Sequence, residues 1–223
     1  TVYGKAPFEV EAKDGTLFID GKEVTFISEK DPAQLPWGKL GIDVVVEATG
    51  MFDEYAKAQA HITAGAKRVV ITAPGKGEGG ATVLMGVNEK ELATCTISSN
   101  ASCTTNAASP VIAILDEAIG IEKAVLSTTH AYTATQSVVD GPVKGGDFRR
   151  GRSAAQNITP SSTGAALAVT KAYPTLSGRF DGIALRVPVP AGSIADITFI
   201  AKRPTSVEEV NDALRKAESD ARW

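Results

Sequence analysis

An α/β fold built on a parallel sheet is what this 223-residue sequence predicts, and three observations carry that reading. Ile42-Asp43-Val44-Val45-Val46-Glu47 is nearly all β-branched, as strands buried on both faces of a parallel sheet tend to be. A helical stretch follows from Glu54 to about Ala64, with Asp53 placed to cap it and Gly65 to stop it. Lys67-Arg68-Val69-Val70-Ile71-Thr72 is then a second strand, so residues 42–72 make a strand–helix–strand unit.

Before that unit lie three short apolar runs, Phe8-Glu9-Val10, Leu17-Phe18-Ile19 and Val24-Thr25-Phe26-Ile27. Asp14-Gly15 and Asp20-Gly21 separate them, and Asp-Gly is a strong hairpin signal, so a small antiparallel meander is expected. Ligands bind beyond the carboxyl ends of parallel strands, which places Thr49, Gly50 and Thr72 on a candidate ligand edge. The same turns would also serve any α/β layer without a ligand. No GxGxxG occurs in the sequence, and Gly75-Lys76-Gly77-Glu78-Gly79-Gly80 reads as a flexible loop.

Thr94-Cys95-Thr96-Ile97 reads as a short buried strand running into Ser98-Ser99-Asn100-Ala101-Ser102-Cys103-Thr104-Thr105-Asn106. A helix is expected from Ala107 to Gly120, with Pro110 giving a kink or a late regular start. Cys103 thus sits where a strand ends and a helix begins. Free N–H groups and the positive end of the macrodipole lie there. Such sites can lower a cysteine pKa from about 8.5 to roughly 3.5–7.5. Either Cys103 is a small filler among capping residues, or it is a nucleophile waiting for a base.

Lys123 to Thr133 reads as a strand with His130 near its end. The other histidine, His61, falls on what reads as a polar helix face, which leaves His130 as the candidate base for a Cys–His pair. Gly141 to Arg152 has no hydrophobic period and holds Lys144, Arg149, Arg150 and Arg152: a solvated loop or an anion site. Thr159-Pro160-Ser161-Ser162-Thr163-Gly164 leads into a helix from Ala165 to Ala172, whose start is either an ordinary cap or a phosphate seat. Gly182 to Pro188 and Ile194 to Ala201 read as strands. Arg186 stands inside the first of these, a charge that wants a partner or an anion. Thr205 or Ser206, with Glu208 or Glu209, makes a capping box for a final helix.

Composition narrows the function classes. A net charge of −3 argues against a general nucleic-acid or membrane-surface binder. Two cysteines and two histidines give neither a disulfide framework nor metal-ligand spacing, so no metal is expected. No apolar run has the ~18–20 residues of a membrane helix and no signal sequence opens the chain, so a cytoplasmic setting is expected. The chain opens on Thr1 without Met and ends in a helix-like segment at Arg222-Trp223, which suggests a fragment.

A thiol, a histidine base, several cationic or hydroxyl seats and a parallel-sheet edge suggest covalent chemistry on a small phosphorylated molecule. Ser99-Asn100-Ala101-Ser102-Cys103-Thr104-Thr105-Asn106 resembles the active-site signature of glyceraldehyde-3-phosphate dehydrogenases. So do Thr129-His130-Ala131-Tyr132-Thr133, Arg149-Arg150-Gly151-Arg152, Ser162-Thr163-Gly164-Ala165-Ala166 and Arg186-Val187-Pro188.

The resemblance implies a partial doubly wound, Rossmann-type domain over 1–101 that lacks its first βαβ. It implies an α+β catalytic domain with a mixed or antiparallel sheet over 102–223, lacking its C-terminal end. It implies NAD-dependent oxidation and phosphorylation of D-glyceraldehyde 3-phosphate with inorganic phosphate, in a homotetramer. Cys103 would be the nucleophile and His130 the base. Thr133 and Arg186 would hold the substrate phosphate. Ser102, Thr163, Gly164 and Arg150 would hold inorganic phosphate, and Thr104 would line the substrate site. Lys30, Thr49, Gly50, Phe52 and Thr72 would contact NAD, and Asp140-Gly141-Pro142 looks like the NAD-type rather than the NADP-type pattern. Ala107 stands where many members carry a second cysteine. An erythrose-4-phosphate dehydrogenase, or a fragment inactive alone and serving as a binding module, are the alternatives.

Overall fold

The computed structural model describes residues 2–143 and 146–223. Lys144, one of the cations read in the loop above, lies outside the described residues.

The chain opens with an antiparallel meander, β1 (Val10–Lys13), β2 (Thr16–Ile19) and β3 (Lys22–Val24). Both connections place two successive residues at positive φ, Asp14 and Gly15, then Asp20 and Gly21. That is the backbone a two-residue hairpin turn requires. The first strand starts at Val10 rather than Phe8, because the Asp14-Gly15 turn sets its register, Val10 opposite Ile19.

A single helical turn, α1 (Trp37–Leu40), leads to β4 (Val44–Glu47), α2 (Tyr55–Thr63) and β5 (Arg68–Ile71). With β6 (Ala81–Thr82) and β7 (Ile97–Ser99) these strands form one all-parallel sheet in the order β4-β5-β7-β6. The strand–helix–strand unit is therefore present, but β4 is not buried on both faces. Val45 packs with Val69, Ile71, Ile97, Tyr55 and Ala58, whereas Val44 and Val46 are exposed, because α2 covers only one face among the described residues.

Four local expectations are corrected here. Asp53 does not cap α2: Glu54 holds the cap position without a side-chain bond, and Asp53 pairs with Lys76 at 2.6 Å. Residues 75–80 are not a free loop. Gly75 and Gly80 lie against the Tyr55 ring with no room for a β-carbon, and Tyr55 N–H donates to the Lys76 carbonyl. The strand before Cys103 is Ile97–Ser99, because Ser98 and Ser99, not Thr94 to Thr96, sit opposite Val70 and Ile71. Finally, His61 is buried rather than surface-facing, since it shares one helical face with Tyr55 and Ala58.

The second half begins with α3 (Cys103–Ala118), which runs through Pro110 rather than starting after it. Ser102 caps the helix, and burial of Ala108, Ile112 and Leu115 offsets the one hydrogen bond that proline forfeits. Next come β8 (Ile121–Ala131), β9 (Thr159–Ser162), α4 (Ala165–Ala172), β10 (Phe180–Val187), β11 (Ser193–Ala201) and α5 (Val207–Glu218). Their sheet is mixed, in the order β11-β8-β10-β9, with β8 and β10 parallel and the other pairs antiparallel. Helices α3 and α4 bury Ile112, Leu115, Ala166 and Val169 against Ile121, Leu126 and Phe180 on one face of this sheet. The α/β class read from the sequence is thus the class of the fold.

At the last helix Ser206 accepts from Glu209 N–H at 3.2 Å, as the capping box requires. The Glu209 carboxylate, however, turns to Arg203 and Thr205, and their hydrogen bonds lower its pKa to about 2.

Candidate active site

Two neighbouring strand ends and one helix start converge at the site. The parallel register puts Arg186 of β10 directly beside His130 of β8. Cys103, the first residue of α3, is exposed, and its Sγ lies 3.3 Å from His130 Nε2. The thiol and imidazole that the sequence offered are therefore brought together without a bridging group. Ser102 Oγ accepts from Thr105 N–H at 3.1 Å and contacts Thr105 Oγ1 at 2.7 Å, so its hydroxyl serves as the helix cap. The N–H groups of Cys103 and Thr104 have no acceptor within the helix and point toward the same end as the sulfur.

The other side of the imidazole is held by the neighbouring strand. Arg186 Nη1 lies 2.7 Å from His130 Nδ1 and 3.1 Å from the Ala131 carbonyl, which is itself 2.8 Å from Nδ1. Arginine only donates. When Nδ1 accepts from Arg186, Nε2 carries the ring proton and donates toward the sulfur. When Nδ1–H donates to the Ala131 carbonyl, Nε2 is free to take the thiol proton. The same four groups thus support both a donor and a base at Nε2.

Burial pushes the Arg186 guanidinium down, nearby Arg150 pushes it further, and the Cys103 sulfur draws it back up. No carboxylate pairs with Arg186 among the described residues. A half-buried cation beside another cation is a seat for an anion.

Arg150 is anchored differently. Its Nη2 donates to Ser161 Oγ at 3.1 Å and its Nη1 to Thr135 Oγ1 at 3.2 Å, while Asp147 sits 3.4 Å from its Nε. Thr135 Oγ1 in turn contacts Thr133 Oγ1 at 3.0 Å. Arg150 is therefore linked to Thr133 through one hydroxyl. Thr163 Oγ1 accepts from Ala165 N–H at 3.1 Å at the start of α4, with exposed Gly164 between them. Thr104 is buried beneath the helix start, next to Cys103 in sequence but largely out of solvent.

The candidate ligand edge forms around a buried carboxylate that sequence reasoning missed. Glu47, at the end of β4, accepts from Thr49 N–H at 2.7 Å and from the Thr49 hydroxyl. It also lies 2.9 Å from His61 Nε2. Trp37 Nε1 donates to His61 Nδ1 at 3.1 Å, so Nε2 must carry the proton that goes to Glu47. Thr72 Oγ1 donates to the Glu47 carbonyl at 3.2 Å, and the Phe52 ring meets His61 edge-on. Thr49, Gly50, Phe52 and Thr72 thus gather about one strand end. Lys30 is exposed on the loop before Pro32. Alternation alone would have set Glu47 with Asp43 on the outer face, because Ile42, Val44 and Val46 make the more apolar face of the strand. Val45 and Glu47 share the buried face of β4, just as Tyr55, Ala58 and His61 share a face of α2.

Burial raises the Glu47 carboxyl, but hydrogen bonds from Thr49 and His61 outweigh it and hold the group below the ordinary 4.5. A carboxylate depressed in the folded state contributes stability that is complete above 4.5 and lost as pH falls through the lower folded value. Glu47→Gln is therefore expected to lower stability at neutral pH by about 1.5–3 kcal/mol and to flatten the acid limb below 4.5. Urea unfolding across pH checks both; an unchanged acid limb would count against the assignment.

Comparison with known proteins gives the family. The family model described as glyceraldehyde 3-phosphate dehydrogenase, C-terminal domain, matches residues 102–221, and that described as its NAD binding domain matches residues 1–55. The chain is 48% identical over 219 residues to a glyceraldehyde-3-phosphate dehydrogenase of Clostridium pasteurianum, covering 98% of this chain and 65% of that protein. It is 46% identical over 222 residues to one of Streptomyces coelicolor, covering 99% and 65%. It is 47% identical over 219 residues to glyceraldehyde-3-phosphate dehydrogenase 2 of Bacillus subtilis, covering 97% and 64%. The chain spans about 65% of the length of these curated relatives. With the family model covering the segment that carries Cys103, His130 and Arg186, the chain belongs to the glyceraldehyde-3-phosphate dehydrogenase family.

Proposed function

We propose that the complete protein oxidises and phosphorylates D-glyceraldehyde 3-phosphate, giving 1,3-bisphosphoglycerate, with residues 1–101 serving the cofactor and 102–223 the chemistry. The observation that carries this reading is the 3.3 Å approach of Cys103 Sγ to His130 Nε2 beside Arg186, which has no carboxylate partner among the described residues.

The cofactor edge fits a nicotinamide dinucleotide. Three parallel strands end together there, and Thr49 presents a backbone anchored on Glu47. Gly50, at φ +72°, leaves open space where a side chain would stand. Thr49, Gly50, Phe52 and Thr72 would hold the group, and Lys30 would contact it from the exposed loop before Pro32. When bound, NAD accepts the hydride released from the substrate carbon.

The chain's own residues do the rest. His130 Nε2 takes the thiol proton, Cys103 Sγ bonds to the aldehyde carbon, and the carbonyl π electrons move to oxygen, which the Cys103 N–H stabilises and which takes the proton from Nε2–H to become the hemithioacetal hydroxyl. His130 then takes the hydroxyl proton as the C–H electron pair departs, leaving a thioester on Cys103. Inorganic phosphate attacks that carbon, the C–S bond breaks, and the thiolate returns as the acyl phosphate leaves. Arg186 and Thr133 would seat the substrate phosphate. Ser102, Thr163, Gly164 and Arg150 would seat the attacking one, with Thr104 beneath.

A homotetramer suits the exposed face of the mixed sheet, where Val125, Ile183 and Ile194 lie uncovered on the side away from α3 and α4. Two free thiols suit a reducing, cytoplasmic setting.

The test uses the complete protein and follows NADH formation. Activity should require both aldehyde and phosphate, and should favour glyceraldehyde 3-phosphate over erythrose 4-phosphate. Arg186→Leu is expected to cut kcat/KM for the phosphorylated aldehyde about 10–100-fold and to affect unphosphorylated glyceraldehyde much less. Equal losses for the two aldehydes would remove Arg186 from the phosphate seat.

A further inference from the structure

The residue just before the Ser102 cap is bent the wrong way for its type. Ala101 adopts φ +57°, a left-handed backbone that alanine rarely takes, and it lies at the turn that delivers Cys103 to the start of α3. Glycine would adopt this backbone freely. Yet the Ala101 methyl is 1% exposed, packed with Leu84, Ala168 and Ala172, so the side chain is used in packing. Something must hold the turn there.

Two side chains do. From the inside, buried Ser99 Oγ accepts from Ala101 N–H at 3.0 Å and from Gly75 N–H at 2.9 Å, and donates to the Ala73 carbonyl at 2.6 Å, which saturates the hydroxyl. From the outside, Asn106 Nδ2 donates to the Asn100 carbonyl at 2.7 Å and to the Ser102 carbonyl at 2.9 Å. Those carbonyls flank Ala101 on both sides. The Asn106 amide therefore bridges the bent residue while its own backbone N–H closes on Ser102, also at 2.9 Å.

We infer that Ser99 and Asn106 form a clamp on the left-handed Ala101 turn and are positioning residues that hold the Cys103 sulfur at its 3.3 Å contact with His130. Neither touches the sulfur. Each fixes the peptide groups from which Cys103 is aimed, and a misplacement of about an ångström in a reacting group can cost roughly 10²-fold. The inference rests on Cys103 as the nucleophile, though not on which aldehyde it attacks.

Asn106 is exposed, so its substitution tests the clamp without opening the core. In the complete protein, iodoacetamide labelling would be followed by peptide mass at Cys103, with half-buried Cys95 as the internal reference. The thiolate ultraviolet absorption would be followed in parallel. Asn106→Ala is expected to slow Cys103 labelling about tenfold or more relative to Cys95 and to weaken the thiolate signal. Asn106→Asp keeps the shape but has no N–H to donate, so it should do the same or worse. Thermal unfolding should shift little in either variant. Ser99→Ala should slow Cys103 in the same sense, wherever it folds. Unchanged Cys103 labelling in both Asn106 variants would overturn the clamp. Labelling of Cys103 no faster than Cys95 in the unaltered protein would instead overturn the nucleophile reading.

Discussion

Serine in place of Cys103 is expected to leave less than about one part in 10⁴ of the dehydrogenase activity of the complete protein. The hydroxyl retains its proton where a thiol gives it up, and an alkoxide is not available at neutral pH to attack the aldehyde. Cys103 is exposed at the first position of α3 and Ser102 supplies the cap, so the substitution removes no core contact and no helix-capping bond. Thermal unfolding should therefore match that of the unaltered protein while NADH formation disappears. Retention of more than a few per cent of the activity would mean that another group carries the covalent step.

Asparagine in place of His130 is expected to lower turnover by about 10²–10⁴-fold. In the proposed reaction the imidazole has two duties at Nε2: accepting a proton when the sulfur or the bound hydroxyl releases one, and donating to the oxyanion. Asparagine can donate but cannot act as a base. Cys103 labelling by iodoacetamide should slow as well, because the 3.3 Å contact to the sulfur is lost. Arg186 then loses one of its two acceptors and keeps the Ala131 carbonyl. The loss should therefore fall on kcat, with KM for the phosphorylated aldehyde changed by only a few-fold. A loss confined to KM would place His130 in binding rather than in proton transfer.

The juxtaposition of Cys103 with His130 was legible before any coordinates. A thiol at a strand-to-helix turn and a histidine near a strand end are features of short stretches, and Cys103 and His130 were read from those. The pairing of Arg186 with His130 was not. It depends on the parallel register of β8 with β10, a contact between residues 56 apart in the chain. Arg150 is a similar case. The sequence showed a cation among glycines, but its partners Thr135 and Ser161 come from two other segments.

The reading of His61 failed for a different reason. The polar composition of α2 suggested a solvated face, yet helical spacing puts His61 in line with Tyr55 and Ala58, and that stripe is the buried one. Val44 and Val46 went the other way. β-branched composition suggested two covered faces, while only the face carrying Val45 and Glu47 is packed. In both cases composition misled; the helical period would have found the face of His61, whereas alternation along β4 sets Ile42, Val44 and Val46 against Asp43, Val45 and Glu47 and points to the wrong face. Ala101 lay in plain view inside the motif, but a positive φ at alanine leaves no mark on a sequence.

The most direct measurement is to trap the covalent species. The complete protein would be mixed with glyceraldehyde 3-phosphate and NAD in the absence of inorganic phosphate, quenched in acid, digested and weighed peptide by peptide. The peptide carrying Cys103 should gain the mass of the phosphoglyceroyl group and lose it again when phosphate is added before the quench. A Cys103 left unmodified by aldehyde and NAD in the absence of phosphate, or an adduct on any other residue that phosphate discharges, would contradict the account.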